Sequence, residues 1–247
     1  MRLNTSCRLI FPLMIIAALT AAGCAGGSEA GSPGANTLVV NPYAEVNWSA
    51  AQYTANLHTH TTQSDGHMGP ARVIDEYHQR GYDILALTDH NLNTWPWQDF
   101  GRDPASLGML AVPGNELSRH DHTGALFCEL ETDETDHDAA LGEVAAAGGL
   151  AILYHPGRYW TPTGDHTVSA EVLAGYSRLF RRHDHLVGME IINQGNRYPH
   201  DRLLWDALLE EVMQLDRSSL VAARLDNFLR AHGMEKFIHQ PLDEDLT

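Results

Sequence analysis

The residues of this chain best placed to do chemistry are two histidines in Asn56-Leu57-His58-Thr59-His60, with Ser64-Asp65-Gly66 following and Thr88-Asp89-His90-Asn91 further on. A strand repeats every second residue, so His58 and His60 share one face of it. Two neutral imidazoles with a carboxylate just beyond suit a divalent metal ion better than they suit a core. Taken alone, such a pair can equally be two solvent-facing side chains at a strand end, because histidine is intermediate in burial. What shifts the balance is that further residues of the same chemistry recur along the chain.

The elements that must position these residues alternate between strand and helix. Residues 53–60 read as a strand. Residues 70–80 read as a helix, with Pro70 in the first turn, Val73, Ile74 and Tyr77 as an apolar stripe and Gly81 as the stop. Strand-like runs follow at 84–88, 110–112, 124–130, 150–154 and 187–192, and helix-like runs at 139–147, around 170–181 and at 201–214. Repeated strand–helix units predict an α/β domain with a largely parallel sheet. Candidate ligands fall at the ends of these runs. His58 and His60 close the first, His90 follows the second, Glu116 follows the third and His155 follows 150–154, while His122 stands just before 124–130. Functional residues gather at the carboxyl ends of strands in α/β barrels. Imidazole with carboxylate favours zinc, iron or manganese and leaves the choice open.

Charge excludes one class of function. The 247-residue chain has 32 acidic and 16 basic residues, a formal net charge of −16. Proteins that coat nucleic acid carry clustered basic charge, so no stable nucleic-acid partner is expected. An anionic substrate would be drawn by bound metal and a few arginines and not by the overall field.

The N-terminus reads as a targeting segment. Arg2 and Arg8 flank its start, and 9–22 is an apolar run of signal-peptide length, short for a spanning helix. It ends in Leu19-Thr20-Ala21-Ala22-Gly23-Cys24, small residues before a cysteine as in a bacterial lipoprotein box. A plain secretory signal cut elsewhere is the alternative. Residues 25–47 begin as a Gly/Ser tether. The expectation is an exported, cell-envelope lipoprotein held to the membrane by lipid on Cys24. Residues 48–214 would form the metal-dependent domain and 215–247 an atypical tail. With Cys7 removed and Cys24 lipidated, only Cys128 remains and no internal disulfide can form.

His58-Thr59-His60 with Ser64-Asp65-Gly66, then Gly81-Tyr82-Asp83-Ile84-Leu85-Ala86-Leu87-Thr88-Asp89-His90-Asn91, then Pro113-Gly114-Asn115-Glu116, then His155-Pro156-Gly157-Arg158 resemble the PHP (polymerase and histidinol phosphatase) family. The first two motifs carry the resemblance, which runs from about Tyr53 to Asp206. It implies a distorted (βα)7-type barrel, two or three divalent metal ions (Zn, Mn or Fe) and hydrolysis of phosphoesters. The matching metal ligands are His58, His60, Asp65, His90, Glu116, His122 and His155, with His120 the alternative to His122. Gly188-Met189-Glu190-Ile191-Ile192-Asn193 matches a later strand of the family, where the resemblance gives the glutamate a structural role. The family's last motif, an Asp-x-His, does not occur after Asn193. The barrel is therefore expected to be incomplete at its C-terminal end. Asp226, His232 and His239 lack the spacing to replace that motif.

The chemistry expected is metal-activated water attacking a small phosphorylated substrate, a nucleotide, sugar or amino-alcohol phosphate. Asp65 and Asp89 are the acidic residues beside the site, Asp89 as a partner that orients an imidazole. Arg158 is the candidate phosphate clamp and Arg197 a weaker one, because a guanidinium matches phosphate geometry. Trp95, Trp97 and Trp160 either wall the pocket or pack into the core. The missing last motif keeps a second function open, a catalytically impaired metal-binding protein acting as a binding or scaffold module.

Overall fold

The apolar runs of the sequence fold into two small sheets with helices on their outer faces, as shown by a computed structural model that describes residues 52–193, 200–212, 227, 230 and 231. The first sheet is parallel, in the order β1 (Ala55–Asn56), β2 (Ile84–Ala86), β3 (Leu110–Val112). The second is mixed, in the order β4 (Gly114–Leu117), β5 (Thr123–Leu126), β6 (Leu150–Leu153), β7 (Leu186–Met189). A parallel bridge between His90 and Glu116 joins the two.

The second sheet corrects the expectation of a largely parallel sheet. β4 pairs antiparallel with β5, and β5 antiparallel with β6. The residues between β4 and β5 are too few for a parallel crossover, which needs a dozen or more, so the chain turns straight back. Pro113 separates β3 from β4 because it has no N–H to give to a ladder; its carbonyl accepts Phe127 N instead, at 2.8 Å. Among the described residues no strand closes the two sheets into a ring. The tail 215–247, where the sequence departs from the family pattern, lies outside the described residues apart from 227, 230 and 231.

The helices start where their sequences allow. Helix α1 (Pro70–Gln79) opens on proline, and Gly81 ends it at φ 74°, a left-handed backbone that glycine adopts without strain. A short α2 (Pro104–Leu107) is capped by Asp103. In α3 (His137–Ala146) the Asp136 carboxylate accepts Ala139 N at 2.8 Å, and in α4 (Ala170–Arg182) the Ser169 hydroxyl accepts Val172 N at 3.2 Å. Helix α5 is His200–Val212.

Three apolar clusters hold these parts together. Val73 and Ile74 of α1 pack with Leu85, Leu87, Met109 and Trp97 beside the first sheet. Ala140, Leu141, Phe180, Leu204 and Leu208 cover the second sheet at Ala151, Leu153 and Leu186. Ala86, Leu110, Val112 and Leu126 join the sheets. Trp97 is fully buried in the first cluster, and Trp95 and Trp160 pack at cluster edges, so packing, one of the two roles open to them, is the one the structure shows.

Candidate metal centre

Strand direction brings the candidate ligands to one place. His90 follows β2, and Glu116 lies inside β4 and not after a strand end as the sequence implied. His122 immediately precedes β5 and His155 follows β6. Because β5 runs against its neighbours, its first residue lies at the same end of the sheet as the last residue of β6, with Thr123 paired to Leu153. Tyr154 N then donates to His122 O at 2.9 Å. His58 and His60 continue the line of β1, with their Nε2 atoms 3.1 Å apart, so the period-two argument places both on one face.

Glu116 is the hub and is completely buried. Its Oε2 lies 3.3 Å from His58 Nε2, 2.9 Å from His60 Nε2 and 3.3 Å from His90 Nδ1. Its Oε1 lies 2.7 Å from His122 Nδ1 and 3.1 Å from His155 Nε2. Asp65 extends the cluster outward, at 3.3 Å from His60 Nδ1 and 3.5 Å from His90 Nε2. Three overlapping triads result, each with ligand atoms within 4.8 Å of one another: His58–Glu116–His155, His60–Asp65–His90 and His90–Glu116–His122.

This donor set fits divalent cations. Two carboxylate oxygens face five imidazole nitrogens, and two of those imidazoles aim Nε2 at each other. A carboxylate has about four lone-pair sites, so Glu116 alone cannot satisfy such a ring. Cations placed among inward-facing lone pairs would satisfy it, and imidazole with carboxylate is a transition-metal donor set. The triads would hold the ions, with Glu116 and His90 each shared between two of them.

The metal-free electrostatics follow from the same contacts. Burial opposes charge on His58, yet its hydrogen bonds to Glu116 and Glu190 outweigh that and push it up to about 9. Burial likewise opposes charge on Glu116, but the bonds from His122, His155, His58 and His60 hold its carboxyl well below the usual range. Burial lowers His90.

Access is one-sided. The side chains of His60, His90 and Asp65 are 22%, 26% and 68% exposed, whereas those of His58, His122 and His155 are 13%, 13% and 7% exposed. Among the described residues the cluster is therefore most open on the Asp65 side.

Asp89, Arg158, Tyr154 and His120 belong to none of the three triads. Asp89 is buried and touches no imidazole directly: its carboxylate accepts from Thr61 N at 2.7 Å, Thr61 Oγ1 at 2.8 Å, Ser64 Oγ at 2.6 Å and Thr94 Oγ1 at 2.5 Å. It reaches an imidazole through Ser64, whose Oγ lies 3.4 Å from His60 Nδ1, and it folds the loop that carries Asp65. Arg158 is exposed and lies against the Tyr159 ring, 6.0 Å from its centroid, with no contact to Glu116 or the imidazoles among those the structure shows for it. Tyr154, which spacing did not single out, is buried and lies flat on His58, with centroids 3.8 Å apart. His120 turns away and stacks on His137 at 4.6 Å, so His122 is the one that reaches Glu116. Asp226, His232, His239 and Arg197 lie outside the described residues.

No family model matches the chain, and no curated protein matches it. Solved structures do. A two-domain protein from Bacteroides vulgatus containing a predicted PHP-like metal-dependent phosphoesterase is 24% identical, with a TM-score of 0.47 over 64% of this chain and 48% of that one. The chain thus spans about half the length of that protein. A candidate metal-dependent phosphoesterase from Bifidobacterium adolescentis is 14% identical, with a TM-score of 0.47 over 64% of this chain and 83% of that one. An amidohydrolase from Chromobacterium violaceum, solved with sulfate and no metal, is 18% identical, with a TM-score of 0.42 over 73% of this chain and 84% of that one.

Proposed function

We propose that the chain is a metal-dependent phosphoesterase acting on a small phosphate ester. The observation that carries this reading is the convergence of five imidazoles and Asp65 on and around the buried Glu116 in three overlapping triads. The triads would hold divalent ions, which would supply acidified water and positive charge for a phosphoryl group, the chemistry this hydrolysis needs.

The protein's own part is to hold and to admit. Glu116 supplies a buried negative charge on which the imidazoles align, and Tyr154 fixes the plane of the His58 ring. Asp65 marks the open side, where an anionic substrate meets the cluster despite the net charge of −16. In this reading the protein is exported and tethered to a membrane through Cys24.

The position of Arg158, exposed against the Tyr159 ring and not on the cluster, favours one second reading, a metal-binding module with impaired turnover. The test is turnover of p-nitrophenyl phosphate and a nucleoside monophosphate across Mn²⁺ and Zn²⁺ concentrations. Slow hydrolysis that rises as metal fills the site supports the enzyme. Metal uptake without hydrolysis at any concentration would establish the impaired module instead.

A further inference from the structure

Glu190 follows β7 and is 132 residues from His58 in sequence, yet its carboxylate joins two of the candidate ligands. Oε1 lies 2.7 Å from His58 Nδ1. Oε2 accepts the backbone N–H of His155 at 2.8 Å and the Asn193 amide at 3.0 Å. Both histidines belong to the same triad, His58–Glu116–His155.

The two links do different work. With Nδ1–H bound to Glu190, the neutral His58 ring must present its Nε2 lone pair to the cluster, the tautomer a ligand requires. At His155 the backbone lies at φ 32° and ψ 54°, a left-handed conformation. Such a conformation is strained for a non-glycine residue and persists only where the surroundings hold it. The Glu190 bond to His155 N–H holds the residue in that conformation, which lets its side chain turn back toward Glu116. A single amide oxygen could accept at one link, but both links end on N–H groups, so both oxygens must accept. A carboxylate does this and an amide does not.

We propose that Glu190 is a positioning residue that sets both the His58 tautomer and the His155 backbone, and so controls occupancy of one metal position without touching the others. This rests on the reading that the cluster holds divalent metal. Outer groups of this kind typically change metal affinity by about 10- to 100-fold. The experiment is Zn²⁺ titration of metal-stripped wild type, Glu190→Ala and Glu190→Gln by calorimetry, with elemental analysis of the loaded proteins and thermal unfolding of the stripped ones. The expected result is that one ion binds about 10- to 100-fold more weakly in both variants, while the remaining ions bind as in wild type. Unchanged binding of every ion in both variants overturns the proposal and leaves the metal cluster standing. A parallel loss of all ions together with a lower unfolding temperature of the stripped variants also overturns it, because Glu190 would then be holding the fold. Absence of Zn²⁺ binding by wild type overturns the proposed function itself and this inference with it.

Discussion

The Tyr154 ring lies parallel to the His58 imidazole, with centroids 3.8 Å apart and planes 9° from coplanar. Tyr154 is 1% exposed, and its hydroxyl donates to Leu57 O, so the ring that braces the ligand is itself tied to the strand that carries it. The space for it exists because position 124 is glycine: a Cβ there would meet Tyr154 Cζ and Oη at 2.2 Å.

Gly124→Ala should therefore displace Tyr154 and, through it, His58. The overpacking should cost about 1–3 kcal/mol of stability. Metal affinity should fall as well, even under conditions where the variant is fully folded. Chemical denaturation and Zn²⁺ titration check the two effects separately. A variant with wild-type affinity would show that the stack does not brace His58.

The metal-free protein should lose stability as pH rises. His58 is pushed from 6.5 to about 9 in the fold. Its contribution is present in full below the unfolded value and is lost as pH rises through the folded one. Thermal unfolding in chelator should show a fall between pH 6.5 and pH 9. Saturating metal should reverse the trend, since ligation needs deprotonated imidazoles. A chelated protein that gains stability over that range would contradict the electrostatics of the cluster.

Asp201 offers a second window at lower pH. Burial raises its carboxyl from 3.8 to about 7, against the bond its Oδ1 accepts from Gly157 N at 2.5 Å. A raised carboxyl contributes stability below its unfolded value and loses it as pH rises through the folded value. Asp201→Asn keeps an acceptor for Gly157 and removes the charge. Its stability relative to wild type should rise steadily from pH 4 to pH 7.5, read as the difference in unfolding temperature. A constant difference across that range would show that Asp201 does not titrate there.

The N-terminal reading has its own check. Cys24→Ser should accumulate as a larger precursor and leave the membrane fraction, measured by fractionation and immunoblotting. A variant that migrates and fractionates like wild type would contradict lipidation at Cys24.

Much of the site was legible because metal ligands have few residue types and regular offsets. His58, His60, His90, His122 and His155 stand near recognisable strand ends, and the structure gathers these five with Asp65 and Glu116. Helix α1 was legible from Pro70 and Gly81, which act locally. What sequence hid depends on direction and on distance along the chain. Asp89 was legible as an acidic residue beside the site, but not its route: it meets Thr61 and Ser64, and it is Ser64 that reaches the His60 ring. Strand β4 was missed because Gly114-Asn115-Glu116-Leu117 is buried throughout and has no polar–apolar alternation to reveal it. The antiparallel turn into β5 followed from that omission. The Glu190 carboxylate meets His58 across 132 residues, a pairing that no local pattern announces.

The central claim is that the cluster around Glu116 binds divalent metal. Elemental analysis of purified wild type beside His58→Ala/His60→Ala, with both proteins shown to be folded, tests it most directly. The account predicts bound zinc, manganese or iron in wild type and a clear loss of it in the double variant, because two of the three triads lose a member. Equal metal content in the two proteins would contradict the account.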